Sequence, residues 1–530
     1  MPFRIWKSVG LAAILLFATT SALASQRYLI RYKTNTLVKS TTFLKSFGLE
    51  QRQEIPQLNL VVAEALNTKG FLEVGLKQLR ASPDVLYVEK SFKVHTFLKP
   101  NDPKYNSLDG LIRTNIETAW ETTTGSSSII VAVTDSGVAL NHDDLKNRLW
   151  KNTREVPNNG KDDDSNGYVD DYEGWDFHSN DNDSTDALRH GTHVSGIIGA
   201  EGNNGVGIVG ANWNVRIMPL KFLDDYGGGN IENAAAAIIY AADNGARIIN
   251  ASWGGGPESQ TVKDAIVYAN NKGTLFVAAS GNDQNDNDAT PTYPASSDID
   301  GIISVAASQS NGQLAGFSNY GGTKVDIAAP GKDVYSTLLN NEYGVLSGTS
   351  MASPMVAGIA ALILSVEPGL SVRDLKNAVL NSANYNSGYV NKLATSGDID
   401  AVVAIRQLSQ GFQVWPARMN IAKGASFTFT AYKANGAVTW SVDNAALASI
   451  DANGALTALE NGEVKVTAKN AAGAIASTLK VTISDGTGSG GGGAPGCGKS
   501  SSQSSEGIPT AMVGLALPFA LGAILRRRKK

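Results

Sequence analysis

The chain is predicted to be an α/β protein built on an open sheet, with a small α+β region before it and an all-β region after it. Three observations predict this. Apolar stretches of buried-strand type end in polar, glycine-containing turns, and small-residue helices follow them. Before about residue 97 the pattern is one of short strands and amphipathic segments. After residue 407 the alanine-rich helices stop and short period-2 stretches take over. At 530 residues there is room for roughly three or four domains.

Residues 1–24 carry Arg4 and Lys7, an apolar run too short to span a bilayer, and then Ala22-Leu23-Ala24. That is the pattern of a secretory signal peptide cut before Ser25. Residues 25–97 follow, with strands expected at 28–32, 58–63 and 85–89 and helices at 42–47 and 71–80. The net charge of −4, with no basic stripe outside the two termini, argues against a nucleic-acid partner. The one cysteine, Cys497, has no intrachain partner, so stability must come from packing and bound ions.

Residues 98–410 hold the chemistry. An apolar strand, Ile129-Ile130-Val131-Ala132-Val133-Thr134, delivers Asp135 to a Ser-Gly turn. His190-Gly191-Thr192-His193 opens a small-residue helix, and Gly348-Thr349-Ser350-Met351-Ala352-Ser353-Pro354 opens another. A serine hydroxyl is a poor nucleophile until an imidazole takes its proton, and the imidazole needs a carboxylate to fix its tautomer and steady its charge. Asp135, His190 and Ser350 fill those three roles at strand ends and helix starts, where an open α/β sheet presents its ligands.

These three boxes, in the order Asp, His, Ser, resemble the signatures of the subtilisin-like serine proteases over roughly residues 101–407. The resemblance implies a doubly wound parallel sheet and a serine endopeptidase that cuts polypeptides through an acyl-enzyme. It assigns oxyanion stabilisation to Asn282, at the end of the strand-like stretch 274–282. Gly227, Gly228 and Gly229 on one side, and Ser252, Trp253 and Gly254 on the other, would pair with an extended substrate. Trp253 would line an outer apolar pocket. Thr292 would sit at the base of the pocket for the residue before the cut; no carboxylate stands there, so apolar or aromatic residues are expected.

The resemblance also implies a tight calcium site, with Asp144, the side chain of Asn204 and the carbonyls of Val206 and Ile208 as ligands. Hard oxygen donors of this kind suit Ca²⁺. A second calcium site is read from the residues themselves. In the acidic insertion, Asp162, Asp164, Asn166 and Gly167 take the first, third, fifth and sixth places of an EF-hand-type loop, with Tyr168 offering a carbonyl. The closing Glu is missing from register, and Asp170 or Asp171 would have to replace it. The alternative is a solvated acidic loop.

Residues 25–97 resemble the inhibitory prodomain of secreted subtilases, a folding template whose tail fills the cleft until cut between residues 92 and 105. Residues 411–484 read as a β-sandwich, and Ala448-Ser449-Ile450-Asp451-Ala452-Asn453-Gly454-Ala455-Leu456-Thr457-Ala458 resembles bacterial immunoglobulin-like group 2 repeats. One copy points to a spacer more than to a binding module. Residues 485–507 are a Gly/Ser-rich linker. Residues 508–530 are an apolar run just long enough to cross a bilayer, closed by Arg526-Arg527-Arg528-Lys529-Lys530. They resemble a sorting tag trimmed in the inner membrane, with a plain membrane anchor as the competing reading. The expectation is a zymogen carried to the bacterial surface or beyond, its own prodomain serving as inhibitor. A narrow processing protease and an idle surface adhesion protein are the rivals.

Overall fold

The computed structural model describes residues 26–33, 41–66, 69–92 and 99–485. The expected signal peptide, linker, sorting tag and Cys497 lie outside the described residues.

The first region contains β1 (Arg27–Tyr32), α1 (Thr41–Ser46), β2 (Leu49–Ile55), β3 (Leu60–Ala65), α2 (Lys69–Ala81) and β4 (Val85–Lys90), with the antiparallel order β2-β3-β1-β4. Alternation in β1 buries Tyr28, Ile30 and Tyr32 against Leu76 and Leu79 of α2. The sequence does not announce β2. Its residues are mostly charged or amide, because it is an edge strand that buries only Leu49.

The central region runs α3 (Asp109–Arg113), α4 (Ile116–Trp120), β5 (Ile130–Asp135), β6 (Trp175–Asp176), α5 (His190–Gly199), β7 (Arg216–Lys221), α6 (Ile231–Asp243), β8 (Ile248–Ala251) and α7 (Gln260–Asn271). It continues through β9 (Leu275–Ala279), β10 (Ile302–Ser308), β11 (Ile327–Pro330), β12 (Val334–Thr337), β13 (Tyr343–Leu346), α8 (Thr349–Val366), α9 (Val372–Asn381), β14 (Ala383–Tyr385), β15 (Gly397–Ile399) and α10 (Ala401–Arg406). The main sheet has the order β14-β15-β11-β10-β9-β8-β5-β7-β6 and is parallel except at the β14–β15 edge.

Its strands are apolar on both faces, as a doubly covered sheet requires. Val131, Val133 and Ile248 join the core made with α5 and α8, while Ala132, Ile249 and Phe276 join the one made with α6 and α7. Among the described residues α8 alone is long and apolar enough to cross a membrane, yet it is the central helix of the sheet and 83% buried. Close packing is built into it. A Cβ on Gly358 would lie 2.7 Å from the Ala211 methyl and 3.0 Å from the Ile198 carbonyl oxygen of α5.

The last region holds β16 (Gln413–Trp415), β17 (Arg418–Ala422), β18 (Ser426–Thr428), β19 (Thr430–Tyr432), β20 (Val438–Val442), β21 (Ala448–Ile450), β22 (Ala455–Ala458), β23 (Gly462–Val464), β24 (Val466–Asn470), β25 (Ile475–Ser477) and β26 (Lys480–Ser484). The strand expected over 426–431 is broken at Phe429, whose N–H donates to the Gly454 carbonyl while its ring is buried. This region does not stand off as a spacer would. Asn377 of α9 donates to the Thr428 carbonyl at 2.9 Å and to Thr430 Oγ1 at 3.0 Å. Tyr432 donates to the Leu408 carbonyl, and Trp415 lies fully buried and stacked on Tyr432. Apolar side chains on its inner face continue the core of the central region, which is why it docks.

Candidate active site

Neighbouring parallel strands end at one edge of the sheet, and the chemistry collects there. Asp135 is the last residue of β5, Ser252 follows β8, and Ser280-Gly281-Asn282 follows β9; these strands are adjacent. Asp135 is fully buried, its Oδ1 accepting from the Ser136 N–H at 2.7 Å and lying 2.8 Å from His190 Nδ1. Its Oδ2 has no partner among the described residues. His190 opens α5 after Arg189, which is held in the left-handed region at φ 75°. Burial draws the imidazole pKa down, but the Asp135 charge and hydrogen bond outweigh it and the net direction is up. The side chain keeps 26% exposure, as a group facing a cleft must.

Ser350 is the second residue of α8. Its Oγ donates to the Ser252 carbonyl at 3.1 Å, and Ser252 Oγ returns a bond to the Ser350 carbonyl at 2.8 Å. The hydroxyl is therefore turned to Ser252 and not to His190. Such bonds commonly tighten only when substrate is bound.

The Asn282 side chain is oriented by its oxygen, which accepts from the Thr349 N–H at 2.8 Å and from the Thr349 hydroxyl at 3.0 Å. That leaves its NH₂ free. A Cβ built on Gly348 would lie 3.6 Å from Asn282 Nδ2 and 3.5 Å from the Ser350 nitrogen, so both donors border a space that a side chain would occupy. An oxygen bearing developing negative charge fits there.

The substrate walls expected from sequence are also at this edge. Residues 223–229 form a tight turn in which Asp224 accepts from the Tyr226 and Gly228 N–H groups, which holds its carboxyl below the usual range. Gly227, at φ 86°, makes that turn possible, and Tyr226 at its tip is 92% exposed. Opposite, a Cβ on Gly254 would come within 2.8 Å of the Tyr293 carbonyl oxygen, so the backbones here run close. Trp253 is tied inward, its indole N–H donating to Thr134 Oγ1 at 3.0 Å and its ring edge-on to Phe222. One flank still lines a small hollow with Ile231, Tyr293 and Pro294.

Thr292 is fixed by a buried amide that sequence reasoning missed. Asn319 Nδ2 donates to Thr292 Oγ1, Asn287 Oδ1 and the Ser280 carbonyl, while its Oδ1 accepts from the Asp283 and Asn285 N–H groups. Only its place in a Ser-Asn-Tyr-Gly turn could have signalled it.

Two places suit a hard cation. Buried Asp144 accepts from Asn204 Nδ2 at 2.9 Å, the Ile208 N–H at 2.8 Å and the Tyr343 hydroxyl at 2.9 Å. Asp102, also buried and missed in the sequence, accepts from the Asn203 N–H of the same loop. Burial pushes both carboxyls up, and the charge of Asp144 adds to the rise at Asp102. The Val206 N–H donates to Asn204 Oδ1. A pair of buried carboxylates beside a glycine-rich loop fits Ca²⁺.

In the acidic loop, Asp162 and Asp164 keep ligand atoms within 4.8 Å of each other and of Glu155. Glu155 is 4% exposed and its Oε2 has no hydrogen-bond partner among the described residues, so one member of the cluster carries an unfilled acceptor. Asp170, expected to close the loop, does not join them. Its oxygens accept backbone N–H groups from Asn159 at 2.9 Å and Gly160 at 2.8 Å, just as those of Asp162 accept from Asn166 and Gly167. What separates Asp170 is its absence from the Glu155, Asp162 and Asp164 cluster. The third acid of the cluster, Glu155, comes from before the loop and not from the EF-hand position after it. Asn166 Oδ1 accepts from the Tyr168 N–H and its amide donates to Asp171, while the Tyr168 ring packs among Trp175, Phe177 and Tyr240.

Comparison with known proteins agrees with this geometry. The model of the subtilase family matches residues 126–401, and that of the bacterial Ig-like domain (group 2) matches residues 409–481. A thermophilic serine proteinase of Bacillus sp. (strain AK1) is 40% identical over 320 residues, 60% of this chain and 72% of its own. Thermitase of Thermoactinomyces vulgaris is 38% identical over 290 residues, 54% of this chain and 93% of its own. The solved structure of a protease from Pseudoalteromonas arctica PAMC 21717 superposes with a TM-score of 0.50 at 29% identity, covering 58% of this chain and 99% of that one. With the match spanning more than half its length, the chain belongs to the subtilase family of serine endopeptidases.

Proposed function

We propose that this protein is a secreted, calcium-stabilised endopeptidase, made as a zymogen, in which Ser350 is the nucleophile, His190 the general base and acid, Asp135 its orienting carboxylate and Asn282 the oxyanion donor. The observation that carries the reading is the 2.8 Å Asp135–His190 contact at the same sheet edge as the Asn282–Ser350 donor pair.

The substrate chain lies extended between residues 227–229 and 252–254, with the side chain before the cut directed at Thr292. Ser350 Oγ leaves the Ser252 carbonyl, passes its proton to His190 Nε2 and attacks the substrate carbonyl carbon. Negative charge develops on the carbonyl oxygen against Asn282 Nδ2 and the Ser350 N–H. His190 then gives the proton to the departing amine, and an acyl-serine remains. Water enters, loses a proton to His190, and the second collapse releases the acid and restores Ser350. Asp135 stays ionised throughout.

Calcium would be held by Asp144, with Asp102 and the loop of Asn204, Val206 and Ile208, and by Glu155, Asp162 and Asp164. It would neutralise buried acids and tie loops together. Residues 25–97 would inhibit until removed. The apolar segment 508–525 would engage a membrane or sorting machinery.

The test is expression of residues 25–485 and of its Ser350→Ala form, followed by intact mass and casein hydrolysis with and without EDTA. The reading predicts that the wild type sheds about its first 70–80 residues, the length that the resemblance to subtilase prodomains and a cut between residues 92 and 105 imply, and digests casein. Ser350→Ala should stay whole and inert. If both proteins remain whole and idle, the reading fails.

A further inference from the structure

Asp186 is four residues before His190 and only 4% exposed, and its carboxylate is a hub. Oδ1 accepts from the Ser136 hydroxyl at 2.9 Å, the Leu188 N–H at 2.9 Å and the Arg189 N–H at 3.0 Å. Oδ2 accepts from the Thr192 N–H at 2.9 Å and the Thr192 hydroxyl at 2.6 Å. Burial pushes the Asp186 carboxyl up from the ordinary carboxylate value, and the Thr192 and Ser136 donors work against that rise, since five donors with no competing acceptor favour the ionised form. The spokes reach further. The Gly191 N–H donates to Ser136 Oγ at 3.0 Å, and the Ala139 N–H donates to Thr192 Oγ1 at 2.9 Å.

One side chain thus grips the backbone on both sides of His190 and, through Ser136, the residue after Asp135. The left-handed Arg189 that turns the chain into α5 lies inside this grip. We propose that Asp186 is a positioning residue for the triad: by holding the backbone around His190 and, through Ser136, the turn after Asp135, it sets the His190 ring against that carboxylate. The proposal rests on the triad reading above.

An electrostatic consequence follows from the groups around the ring. Asp135 from β5 and Asp186 from the preceding loop both favour the imidazolium, His193 in the same turn repels it when both rings are charged, Arg189 acts on His193, and Lys221 at the end of β7 is engaged by the Ser136 and Leu223 carbonyls and Asp225. Removing the Asp186 charge therefore makes His190 easier to deprotonate.

The experiment is steady-state cleavage of a chromogenic peptide by the mature protein over pH 5–9, roughly the range in which imidazoles titrate, with competent sites counted by exhaustive fluorophosphonate labelling. Where a variant does not process itself, it is freed of residues 25–97 with wild-type enzyme that is then removed. For Asp186→Asn the expected result is a kcat lower by about 10- to 100-fold with KM changed less than about twofold. The acid-side midpoint of kcat should also move down by about 0.3–1 unit. A folded Asp186→Asn with wild-type kcat per competent site and an unmoved midpoint overturns the proposal. Loss of thermal stability with both of those unmoved overturns it as well, because the role is then structural alone. If that variant does not fold, Ser136→Ala and Thr192→Val decide. Each cuts a spoke and keeps the charge, so a lower kcat at an unshifted midpoint supports the proposal and an unchanged kcat in both sinks it. His190→Ala and Ser350→Ala run alongside. Activity surviving in either would strike the triad reading itself, a result separable from any outcome at Asp186.

Discussion

His190 and His193 sit three residues apart in the first turn of α5, and the structure treats them oppositely. His190 faces the cleft, has Asp135 at 2.8 Å, and is shifted toward the charged form. His193 is fully buried, has the Gly344 carbonyl at 3.2 Å from Nε2, has only the Val334 backbone as a weaker neighbour and no well-formed Nδ1 hydrogen bond among the described residues, and is pushed down to about 4 by burial. The lesson is that residue type supplies a capability and the surroundings decide its use. In the proposed mechanism a carboxylate and an opening to solvent make one ring the proton carrier. Enclosure makes the other a neutral peg between α5 and the strand leading to Ser350.

The largest effect expected from this contrast is on turnover. His190→Ala should lower kcat by about 10⁶-fold, the loss found when a subtilisin is stripped of the same group. His193→Met should leave kcat per competent site within about tenfold, since no reacting atom is lost. Equal losses at both positions would dissolve the distinction. Next comes Asn282→Ala, for which kcat should fall by about 10²–10³-fold with KM little changed, again a magnitude taken from a subtilisin. Stopped assays on a short peptide would measure it.

The two rings should also separate in their response to pH. The acid-side midpoint of kcat/KM should lie above the ordinary imidazole value of 6.5, because the Asp135 carboxylate raises His190. For stability the sign at His193 is the reverse. Its folded-state pKa near 4 lies below the unfolded value of 6.5, so the unfolded chain binds the proton first. Stability is undiminished above pH 6.5, falls as pH drops from 6.5 toward 4, and the full cost is about 3 kcal/mol. Denaturant titrations of wild type and His193→Met at pH 7 and pH 4.5 should show that part of the acid loss absent from the variant.

The smallest effect tests the same contrast among carboxylates. Glu155 has an unpartnered oxygen and Asp170 has both oxygens engaged by N–H groups. Glu155→Gln should therefore shrink the rise in melting temperature produced by added calcium, by about 2–4 °C for each kcal/mol of binding lost. Asp170→Asn should weaken the protein equally with and without calcium.

The sequence made the triad boxes legible because the chemistry demands particular residue types within a few positions of one another. Asp135, His190, Ser350 and Asn282 each carry their own strand end or helix start, so the main sheet was legible with them. What escaped was assembled across the chain. Asp102 meets a loop about a hundred residues away, and Asn319 reaches back to Ser280 and Thr292. Glu155 lies outside the motif window that made Asp170 look like a ligand. Trp253 was legible as a pocket wall, but the Thr134 hydroxyl that holds its indole, from another strand, was not. The polar edge strand β2 and the break at Phe429 depend on pairing partners that local pattern does not reveal.

The central claim is that Ser350 is made nucleophilic by His190 and not by its near neighbour on the same helix. The most direct measurement is fluorophosphonate labelling of mature protein, each variant being freed of residues 25–97 by added wild-type enzyme that is then removed, with the modified residue located by peptide mass. The account predicts one label per chain, on Ser350, formed rapidly in wild type and in His193→Met and lost in His190→Ala. A label on another residue, or undiminished labelling of Ser350 in His190→Ala, would contradict it.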